Sequence, residues 1–332
     1  MKKLTKVFGA LLALTMALTG CANSGTGSNA GNGDSYKVGV IQFAAHPSLD
    51  NCYNGIVEGL NASSIAGKHS IDLQNGNADT ASCDSIAQNM VANGYDVIFA
   101  IATPAALSAY SAAQGTDIPV IFCAVSDPVA AGLTASLDTG NKNCIGTSDV
   151  LDLDAQVNLI RAMQPDVKKI GVLYTTTEAN SVSQLAQLKD VAGKYGIEIV
   201  EQGVSGAADI PQAATSVASQ VDCINNFTDN NVVNNLSVLL EAANAANIPV
   251  YGSEEEQVKN GCLASISIDY VALGKTTAEI GVKVLEGAKA EEMPVGTISE
   301  GTPVVNTDVM AQFGITLPDS YANADKVTTN AE

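Results

Sequence analysis

The sequence predicts an α/β fold with two similar Rossmann-like lobes, each with a parallel sheet, joined by a multi-strand hinge. Two observations support this prediction. Short strands rich in Val and Ile alternate with helical stretches, and the same order of motifs occurs again about 130 residues later. Apolar strands separated by helices are typical of parallel sheets covered on both faces. A repeated order of motifs predicts two similar units.

The N-terminal segment has the features of a secretory signal peptide over residues 1–20. Three lysines in the first six residues precede an apolar run ending at Leu18, which is short for a membrane span. The order Leu-Thr-Gly-Cys resembles the lipobox of bacterial lipoproteins, which implies that Cys21 is lipidated and begins the mature chain. An ordinary secretory peptide is the alternative. Residues 21–35, rich in Gly, Ser and Asn, predict a flexible tether.

The composition limits the possible partners. After residue 20 the chain keeps 13 basic and 35 acidic residues, a net charge of −22. Such a surface argues against binding nucleic acid or docking directly on anionic lipid. The remaining length of about 310 residues is enough for two lobes with cores of their own. We expect a monomer anchored to the membrane only through the lipid on Cys21.

The cysteines after Cys21 show no metal-binding spacing, and no cofactor or metal is expected. Outside the membrane an even number of cysteines permits disulfides. Cys52 and Cys83 are one possible pair because both lie near predicted helix starts. Cys123 and Cys223 lie on strand-like segments, where buried free thiols are common.

In the first lobe, three strands and two helices follow in order. The strand YKVGVIQF, from Tyr36, precedes a predicted helix over 47–60. YDVIFAIAT, from Tyr95, precedes a helix over 104–113, and DIPVIFCAV, from Asp117, is the next strand. Their length and β-branched content favour strands over buried helices.

The second lobe repeats these motifs in the same order. KVGVIQ from Lys37 corresponds to KIGVLY from Lys169, and DVIFAIAT corresponds to DCINNFTD from Asp222. IPVIFCAVSDPV corresponds to IPVYGSEEEQV from Ile248. Coincidence among Val/Ile-rich strands is the alternative to duplication. In open α/β sheets ligands bind beyond the carboxyl ends of the strands, so two facing lobes predict a cleft between them.

Two late segments predict further crossings between the lobes. The helix over 272–285, after SISIDY, is expected to return to the first lobe, and TPVVN, ending at Asn306, to the second. The predicted boundaries are residues 36–147 plus 270–298 for lobe 1, 148–269 plus 299–320 for lobe 2, and 321–332 for a C-terminal tail.

Several short motifs, in this order and spacing, resemble the substrate-binding lipoproteins of ABC transporters, in particular the TrpX-like binding proteins with a type I periplasmic-binding-protein fold. They are IQFAAHPSLD, IATPAA, SDPVAAGL, GTSD, LYTTTEANS, TDN and GSEEE. The resemblance covers residues 36–317. It implies capture of a small solute by hinge closure and delivery to an ABC permease with its ATPase subunits. Aromatic or other hydrophobic amino acids are the implied ligand class, although this chain has Phe43-Ala44-Ala45 where relatives often carry an acid.

The segment ATPAALSAY predicts a carboxylate site. Thr103 is expected to cap a helix in which Pro104 is the first residue. The amides of Ala105 and Ala106 would then point into the cleft at the positive end of the helix, with the Thr103 hydroxyl as a further donor. A plain helix cap without a ligand is the alternative.

The second lobe offers acids for an ammonium group. Asp229 occupies the position equivalent to Thr103, and Glu254 and Glu255 follow the next strand. Amide donors on one lobe and carboxylates on the other suit a zwitterion, held by charge-assisted hydrogen bonds. The alternative for the glutamates is a solvated acidic loop. Asp127 is either a helix cap or the ammonium partner.

Side-chain recognition is assigned to residues at strand ends, where an aromatic face can stack on a ligand. The alternative for each aromatic residue is that it packs under its own loop. His46 is expected to form hydrogen bonds within its loop. The candidates are Phe43, Tyr174 and Phe227, with Gln42 and His46 nearby. Four further candidates for the ligand site lie in the same motifs or at predicted strand ends: Ser126, Asn180, Asn230 and Asp269.

The absence of certain residues and motifs from the sequence disfavours some classes of ligand and of enzyme. The only arginine of the mature chain, Arg161, lies in a helical stretch away from the strand ends, which disfavours strongly anionic ligands. There is no Walker-type loop, HExxH or G-x-S-x-G motif, and no nucleophile–base arrangement. The chain is therefore interpreted as an extracytoplasmic binding protein and not an enzyme. The alternatives are a ligand-sensing receptor, a binder of a neutral nucleoside or sugar, and an extracellular enzyme on the same scaffold.

Overall fold

The computed structural model describes residues 35–298 and 301–330. The predicted signal peptide, most of the tether and Cys21 lie outside the described residues. Thirteen strands and eleven α-helices make up the described part. The strands are β1 Tyr36–Gln42, β2 His69–Asn75, β3 Val97–Ile101, β4 Val120–Cys123, β5 Cys144–Ser148, β6 Lys169–Thr175, β7 Glu198–Val204, β8 Cys223–Asn225, β9 Val250–Tyr251, β10 Ala264–Ser267, β11 Gly296–Thr297, β12 Thr302–Asn306 and β13 Asp325–Val327.

The helices cover the sheets and connect consecutive strands. They are α1 Pro47–Asn61, α2 Thr80–Ala92, α3 Thr103–Ala112, α4 Leu153–Met163, α5 Ala179–Lys194, α6 Ile210–Ala218, α7 Asn230–Asn234, α8 Leu236–Ala245, α9 Glu255–Lys259, α10 Tyr270–Leu285 and α11 Thr307–Phe313.

The predicted fold class is confirmed by the order of the strands. The first lobe has a six-stranded parallel sheet in the order β11-β5-β4-β3-β1-β2. The second has a parallel sheet in the order β7-β6-β8-β9. The first four strands of each lobe therefore have the same spatial order, second-first-third-fourth, as a duplicated unit requires.

A third, smaller sheet extends the second lobe. β12 pairs antiparallel with β10 and parallel with β13. Backbone hydrogen bonds from Leu263 to Val250 and from Gly252 to Ala264 connect this sheet to β9. The segment expected to be a C-terminal tail thus contains β13, because the N–H and C=O groups of β12 are paired on both sides. A three-residue strand carries too little periodicity to be recognised in the sequence.

The chain passes between the lobes three times. It crosses from β5 to α4, from β10 to α10 and from β11 to β12. One buried apolar cluster fills the first lobe and includes residues of α10, while two others fill the second lobe. Asp149 and Tyr270 lie at the first two crossings, next to the cleft.

Helices α1 and α10 pack closely, and this fixes their N-terminal ends beside the cleft. Gly55 of α1 faces Gly274 of α10, and a Cβ at either glycine would collide with the backbone of the other helix. Such close approach is possible only with glycine at both positions. The six cysteines of the described residues are all buried and free. Cys52 and Cys83, the possible pair named from the sequence, are therefore not joined by a disulfide.

No helix within the described ranges combines the length and apolar character needed to cross a bilayer.

Candidate ligand-binding site

A narrow cavity lies between the lobes, where the carboxyl ends of the two main sheets face each other. The lining residues come from both lobes: His46, Ser48, Leu49, Ala102, Thr103, Ala124, Ser126, Asp149 and Tyr270 from the first, and Asn180, Thr228, Asn230, Val233, Glu254 and Gln257 from the second. None of them is lysine or arginine.

In the first lobe, three neighbouring strands are each followed by a polar residue that lines the cavity. Thr103 follows β3, Ser126 follows β4, and Asp149 follows β5. Adjacent strands lie about 4.8 Å apart, so these three residues form a row along one edge of the sheet. The row presents amide and hydroxyl donors at one end and a carboxylate at the other.

Two alanines in this row have unusual backbone conformations. Ala102 has φ 78° and ψ 155°, and Ala124 has φ 54°. L-residues rarely adopt such conformations, which cost roughly 1–3 kcal/mol and tend to occur at ligand sites. Both alanines line the cavity, and they turn the chain sharply at the ends of β3 and β4. Their small side chains leave room for a ligand.

The N-terminus of α3 differs in detail from the sequence prediction. The cap is Ala102, so Thr103 is the first helical residue and Pro104 the second. The N–H of Ala106 donates to the carbonyl of Ala102 at 3.0 Å and is not available to a ligand. The first-turn N–H groups of Thr103 and Ala105 have no partner within the helix, although Ala105 does not line the cavity. Thr103, with its hydroxyl, is therefore the donor that reaches the site.

Asp149 is a buried carboxylate with one oxygen free. The hydroxyl of Tyr270 donates to its Oδ2 at 2.9 Å, whereas Oδ1 is buried without a hydrogen-bond partner. Burial raises the pKa of Asp149, and the hydrogen bond from Tyr270 only partly opposes this. No lysine or arginine lines the cavity, and the His46 imidazole there is neutral, so no positive side chain of the lining faces this carboxyl group.

Glu254 is a second buried carboxylate on the opposite lobe. It caps α9, since its oxygens accept the N–H groups of Glu256 and Gln257 at 2.7 and 2.9 Å. The Ser48 hydroxyl of the first lobe lies beside it without a hydrogen bond of ordinary geometry. Burial raises the pKa of Glu254 to about 7. Its capping bonds make it less free than Asp149 to bind a ligand.

Two asparagines of the second lobe are held in place by Glu178. Its carboxylate accepts from Nδ2 of Asn180 at 3.1 Å and from Nδ2 of Asn230 at 2.7 Å. Burial, reinforced by the charge of Asp229, raises the pKa of Glu178 to about 7. Because the amide nitrogen of Asn180 is directed toward Glu178, its Oδ1 remains buried without a partner at the cavity.

His46 lines the cavity at the start of α1. Both ring nitrogens are buried and make no hydrogen bond of ordinary geometry, although the Asn230 side chain lies close to the ring. Burial lowers the pKa of His46 to about 4, and Asn230 and the charge of Asp50 act weakly in the opposite direction. The imidazole is therefore neutral at pH 7 and offers one donor and one acceptor.

Both carboxylate oxygens of Asp229 are hydrogen-bonded within the second lobe. This carboxylate accepts from the backbone and hydroxyl of Thr175 at 2.5 and 2.8 Å, from Ser181 at 2.7 Å and from the N–H of Val232 at 3.0 Å. Both oxygens are used inside the second lobe, and Asp229 does not line the cavity. It is instead the cap of α7.

Other predicted site residues also lie outside the cavity, for identifiable reasons. Glu255 pairs with Lys259 at 2.9 Å on the surface, and Asp269 caps α10. Asp127 caps a turn by accepting from Ala130 and also accepts from Ser183 across the cleft. The remaining ones pack locally or bond within their own lobe: Gln42, Phe43, Tyr174, Phe227, Ala105 and Ala106. Among the sequence candidates, His46, Thr103, Ser126, Asn180, Asn230 and Glu254 are brought together.

Sequence reasoning missed several lining residues. They are Ser48, Leu49, Ala102, Ala124, Asp149, Thr228, Val233, Gln257 and Tyr270. Asp149 could have been predicted from the sequence as a lining residue, because it directly follows a strand in the motif GTSD. Nothing in the sequence points to Tyr270, because this residue reaches the cavity only through the packing of α10 on α1.

A family model described as "ABC transporter substrate binding protein" matches residues 37–328. The chain belongs to this family. This substrate-binding protein is 38% identical to the "Tyrosine-binding protein" of Clostridioides difficile over 318 residues, which cover 93% of this chain and 91% of the relative. A solved structure from Streptococcus pneumoniae, an ABC domain in complex with L-Trp, is 36% identical with a TM-score of 0.85, and covers 89% of this chain and 100% of that one.

A second solved structure shows which arrangement of the lobes this substrate-binding protein has. The ligand-free, open structure of a substrate-binding protein with adhesive properties from Clostridium difficile has the same identity and coverage, 36%, 89% and 100%, but a TM-score of 0.67. The higher score of the L-Trp complex indicates that the lobes described here are arranged as in that complex. Contacts across the cleft agree with this, since Ser183 donates to Asp127 at 2.5 Å.

Proposed function

We propose that this substrate-binding protein captures a zwitterionic amino acid with an aromatic or other hydrophobic side chain and delivers it to an ABC permease. The observation that carries the proposal is the buried carboxylate of Asp149, which has a free oxygen and faces a cavity without lysine or arginine. Thr103 lies at the other end of the same row of strand ends. The row therefore supplies complementary partners for the two charged groups of an amino acid.

The ammonium group is assigned to Asp149 and Asn180. A buried carboxylate without a positive partner is unfavourable, and a ligand cation removes this penalty. Oδ1 of Asp149 and Oδ1 of Asn180 are both unpartnered acceptors at the cavity. They come from different lobes, so an ammonium group that contacts both favours closure.

The carboxylate is assigned to the N-terminus of α3. The N–H and hydroxyl of Thr103 are donors at the positive end of the helix, where anions are stabilised. Ser126, between Thr103 and Asp149 in the row, is a further hydroxyl within the site. Its hydroxyl lies 3.4 Å from the Thr228 hydroxyl, a long distance for such a pair, and also lies beside the Asp149 carboxylate.

The ligand class follows from the apolar part of the lining together with the relatives. Leu49 and Val233 flank the cavity, and the alanines at the ends of β3 and β4 provide space. One relative is named for tyrosine and one solved structure contains L-Trp. An aromatic amino acid therefore agrees with the apolar part of the lining and with the family comparison.

Delivery requires opening and closing of the lobes. We place the hinge at the three crossings, with lobe 1 formed by residues 36–147 plus 270–298 and lobe 2 by 148–269 plus the segment after 298. Ligand contacts made by both lobes favour the closed state. Small-angle scattering is expected to show a smaller radius of gyration with saturating ligand, and an unchanged radius would contradict hinge closure.

The cellular setting follows from the family and from the N-terminal sequence. The protein works outside the cytoplasmic membrane as a monomer, held there by a lipid on Cys21, and passes its ligand to the permease and ATPase subunits of an importer. Mass spectrometry of membrane-extracted protein is expected to show an acylated peptide beginning at Cys21. A soluble form with unmodified Cys21 in wild-type cells would refute the anchor.

The proposed ligand class is tested by thermal shift and calorimetry on refolded protein. A ligand that binds the native state raises the melting temperature by mass action. We expect shifts with aromatic L-amino acids, smaller shifts with their deaminated analogues, and none with nucleosides or sugars. Binding of a sugar or nucleoside in place of any amino acid would overturn the proposal, and conversion of a bound ligand would indicate an enzyme.

A further inference from the structure

His46 is a lining residue whose ring has no hydrogen-bond partner and can acquire a positive charge. Both ring nitrogens are buried without a hydrogen bond of ordinary geometry. A buried polar group left unpaired costs about 1–3 kcal/mol. Among the described residues, the lining contains no lysine, no arginine and no second histidine. His46 is therefore the lining residue that can supply a positive charge to a ligand.

His46 lies at the same edge of the first sheet as the proposed carboxylate site. It follows β1, and Thr103 follows β3, the strand that pairs with β1. Just beyond β1, the N–H of Phe43 donates to the carbonyl of Ile101, the last residue of β3. Adjacent strands lie about 4.8 Å apart. His46 therefore extends the row of strand-end residues beyond Thr103, on the side away from Asp149.

The imidazole has one neighbouring acceptor whose orientation is fixed. Nδ2 of Asn230 donates to the Glu178 carboxylate at 2.7 Å, and an ionised carboxylate has no donor that would accommodate the reversed amide. Oδ1 of Asn230 therefore points away from Glu178. Burial lowers the pKa of His46, whereas the adjacent Asn230 side chain raises it, as an amide oxygen does and an amide nitrogen does not. The ring consequently faces the amide oxygen.

A ligand carboxylate beside Thr103 gives the imidazole a second acceptor. A neutral imidazole has one N–H and satisfies only one of two acceptors, whereas an imidazolium has two and satisfies both. The negative carboxylate also attracts the charged ring, strongly so in a buried site. Without ligand, burial holds the pKa of His46 at about 4 and the ring is neutral at pH 7. The proton therefore has to arrive together with the ligand.

We infer that His46 binds the ligand carboxylate and takes up a proton from solvent when the ligand enters, so that an imidazolium and Thr103 hold this group together. This inference rests on the proposed function, because it concerns the carboxylate end of the same bound amino acid. The charges then balance along the row of strand ends. His46 compensates the carboxylate at one end, and Asp149 compensates the ammonium group at the other.

Other ionisable groups lie near the imidazole. Asp50, on the same helix, favours the charged ring weakly. Asp149, Glu254 and Tyr270 line the cavity with it. Burial raises the pKa of Glu254 to about 7, so this carboxyl group also exchanges a proton near pH 7. A signal from the ring itself is therefore needed to assign a bound proton to His46.

Nitrogen NMR of the imidazole in the full mature chain gives this signal. The sequence contains two histidines. His69→Gln, which replaces a β2 residue whose ring contacts the Ile65 carbonyl, leaves His46 as the only one. At pH 7 we expect a neutral ring in the free protein and an imidazolium with L-tryptophan, L-tyrosine or L-phenylalanine. The matching arylethylamines, such as tryptamine, lack the carboxylate and should leave the ring neutral. A neutral ring in the amino-acid complex would overturn the inference.

Calorimetry in buffers of different ionisation enthalpy counts the protons taken up. The wild type is expected to take up close to one proton per amino acid at pH 7, and Glu254→Gln should keep this uptake whatever its affinity. His46→Gln should abolish the uptake and weaken amino-acid binding about 10- to 100-fold, with little effect on the arylethylamine. Uptake that survives in His46→Gln, or equal losses for the amino acid and the amine, would also contradict the assignment.

The pH dependence of affinity has a definite sign. Because binding raises the pKa of His46, amino-acid binding should weaken from pH 6 to pH 8 relative to His46→Gln, by up to about tenfold per pH unit. Failure of this inference is distinguishable from failure of the proposed function. Amino-acid binding with a neutral His46 would overturn only the proton uptake, whereas absence of binding by every aromatic amino acid would overturn both.

Discussion

The hydroxyl of Tyr270 donates to Oδ2 of Asp149 at 2.9 Å and joins two of the three crossings between the lobes. Both side chains are buried and both line the cavity. The bond fixes the orientation of the carboxylate and leaves its second oxygen without a hydrogen-bond partner at the cavity. The residue proposed to bind the ammonium group is thus also part of the hinge, which couples ligand binding directly to the segment about which the lobes move.

Replacing Asp149 is expected to separate the two ends of the ligand. Asp149→Asn removes the charge opposite the ammonium group, and loss of a buried charge partner costs on the order of 2–5 kcal/mol. Calorimetry should show weakened binding of the amino acid and loss of its preference over the deaminated analogue. Asp269→Asn is a matched control at the neighbouring crossing, because it caps α10 away from the cavity. An undiminished preference in Asp149→Asn, with loss in Glu254→Gln, would move the ammonium site to Glu254.

The carboxylate end is tested at Thr103. Thr103→Ala removes one hydroxyl but keeps the backbone donors of α3, so we expect a loss of about 1–2 kcal/mol, or roughly 5- to 30-fold in affinity. The amino acid amide, which has no carboxylate, should lose much less. Thr116→Ala, whose hydroxyl donates to Ala113 at the end of α3, is the control. Equal losses for the acid and the amide would contradict this assignment.

The hydrogen bond from Ser183 to Asp127 crosses the cleft without touching the cavity. Because this bond joins the two lobes, Ser183→Ala is expected to speed ligand dissociation about 3- to 10-fold and to leave the association rate unchanged. Stopped-flow fluorescence or surface plasmon resonance measures both rates. Ser85→Ala, which removes a bond within α2, serves as the control. A change confined to the association rate would show that the bond acts before closure.

Glu254 predicts a pH-dependent stability of the unliganded protein. Its pKa is raised by burial to about 7 in the folded state, so the folded state favours the protonated carboxyl. Its contribution to stability is complete below pH 4.5 and is lost as the pH rises through 7, by about 2–3 kcal/mol. His46, with a lowered pKa, acts in the opposite direction below pH 6.5, which makes comparison with a variant necessary.

The free energy of unfolding in denaturant, measured at pH 5, 6, 7 and 8, isolates the glutamate. Wild-type stability is expected to fall relative to Glu254→Gln across this range, because only the wild type has a carboxyl group that ionises at position 254. Glu255→Gln changes an exposed carboxylate paired with Lys259 and should follow the wild-type profile. Parallel profiles for wild type and Glu254→Gln would show that Glu254 titrates normally.

The sequence by itself determined the two α/β lobes, their duplicated strands and the edge of each sheet at which a ligand binds. These features follow from local periodicity and from repeated motifs, both of which are properties of neighbouring residues. Thr103, at the end of β3, and Glu254, at the start of α9, were found in this way because strand ends and helix starts can be recognised along the chain. The family resemblance depended on the same short motifs.

Only the tertiary structure showed which acid lines the cavity with an oxygen free of hydrogen bonds. Asp149 and Asp229 look alike in sequence, since each lies just beyond a strand. Thr175 and Ser181 fold back onto Asp229 and occupy both its oxygens, whereas Asp149 receives one bond from Tyr270, 121 residues away, and keeps one oxygen free. The availability of a carboxylate depends on hydrogen bonds from residues distant in sequence, and these exist only after the lobes and the hinge have packed.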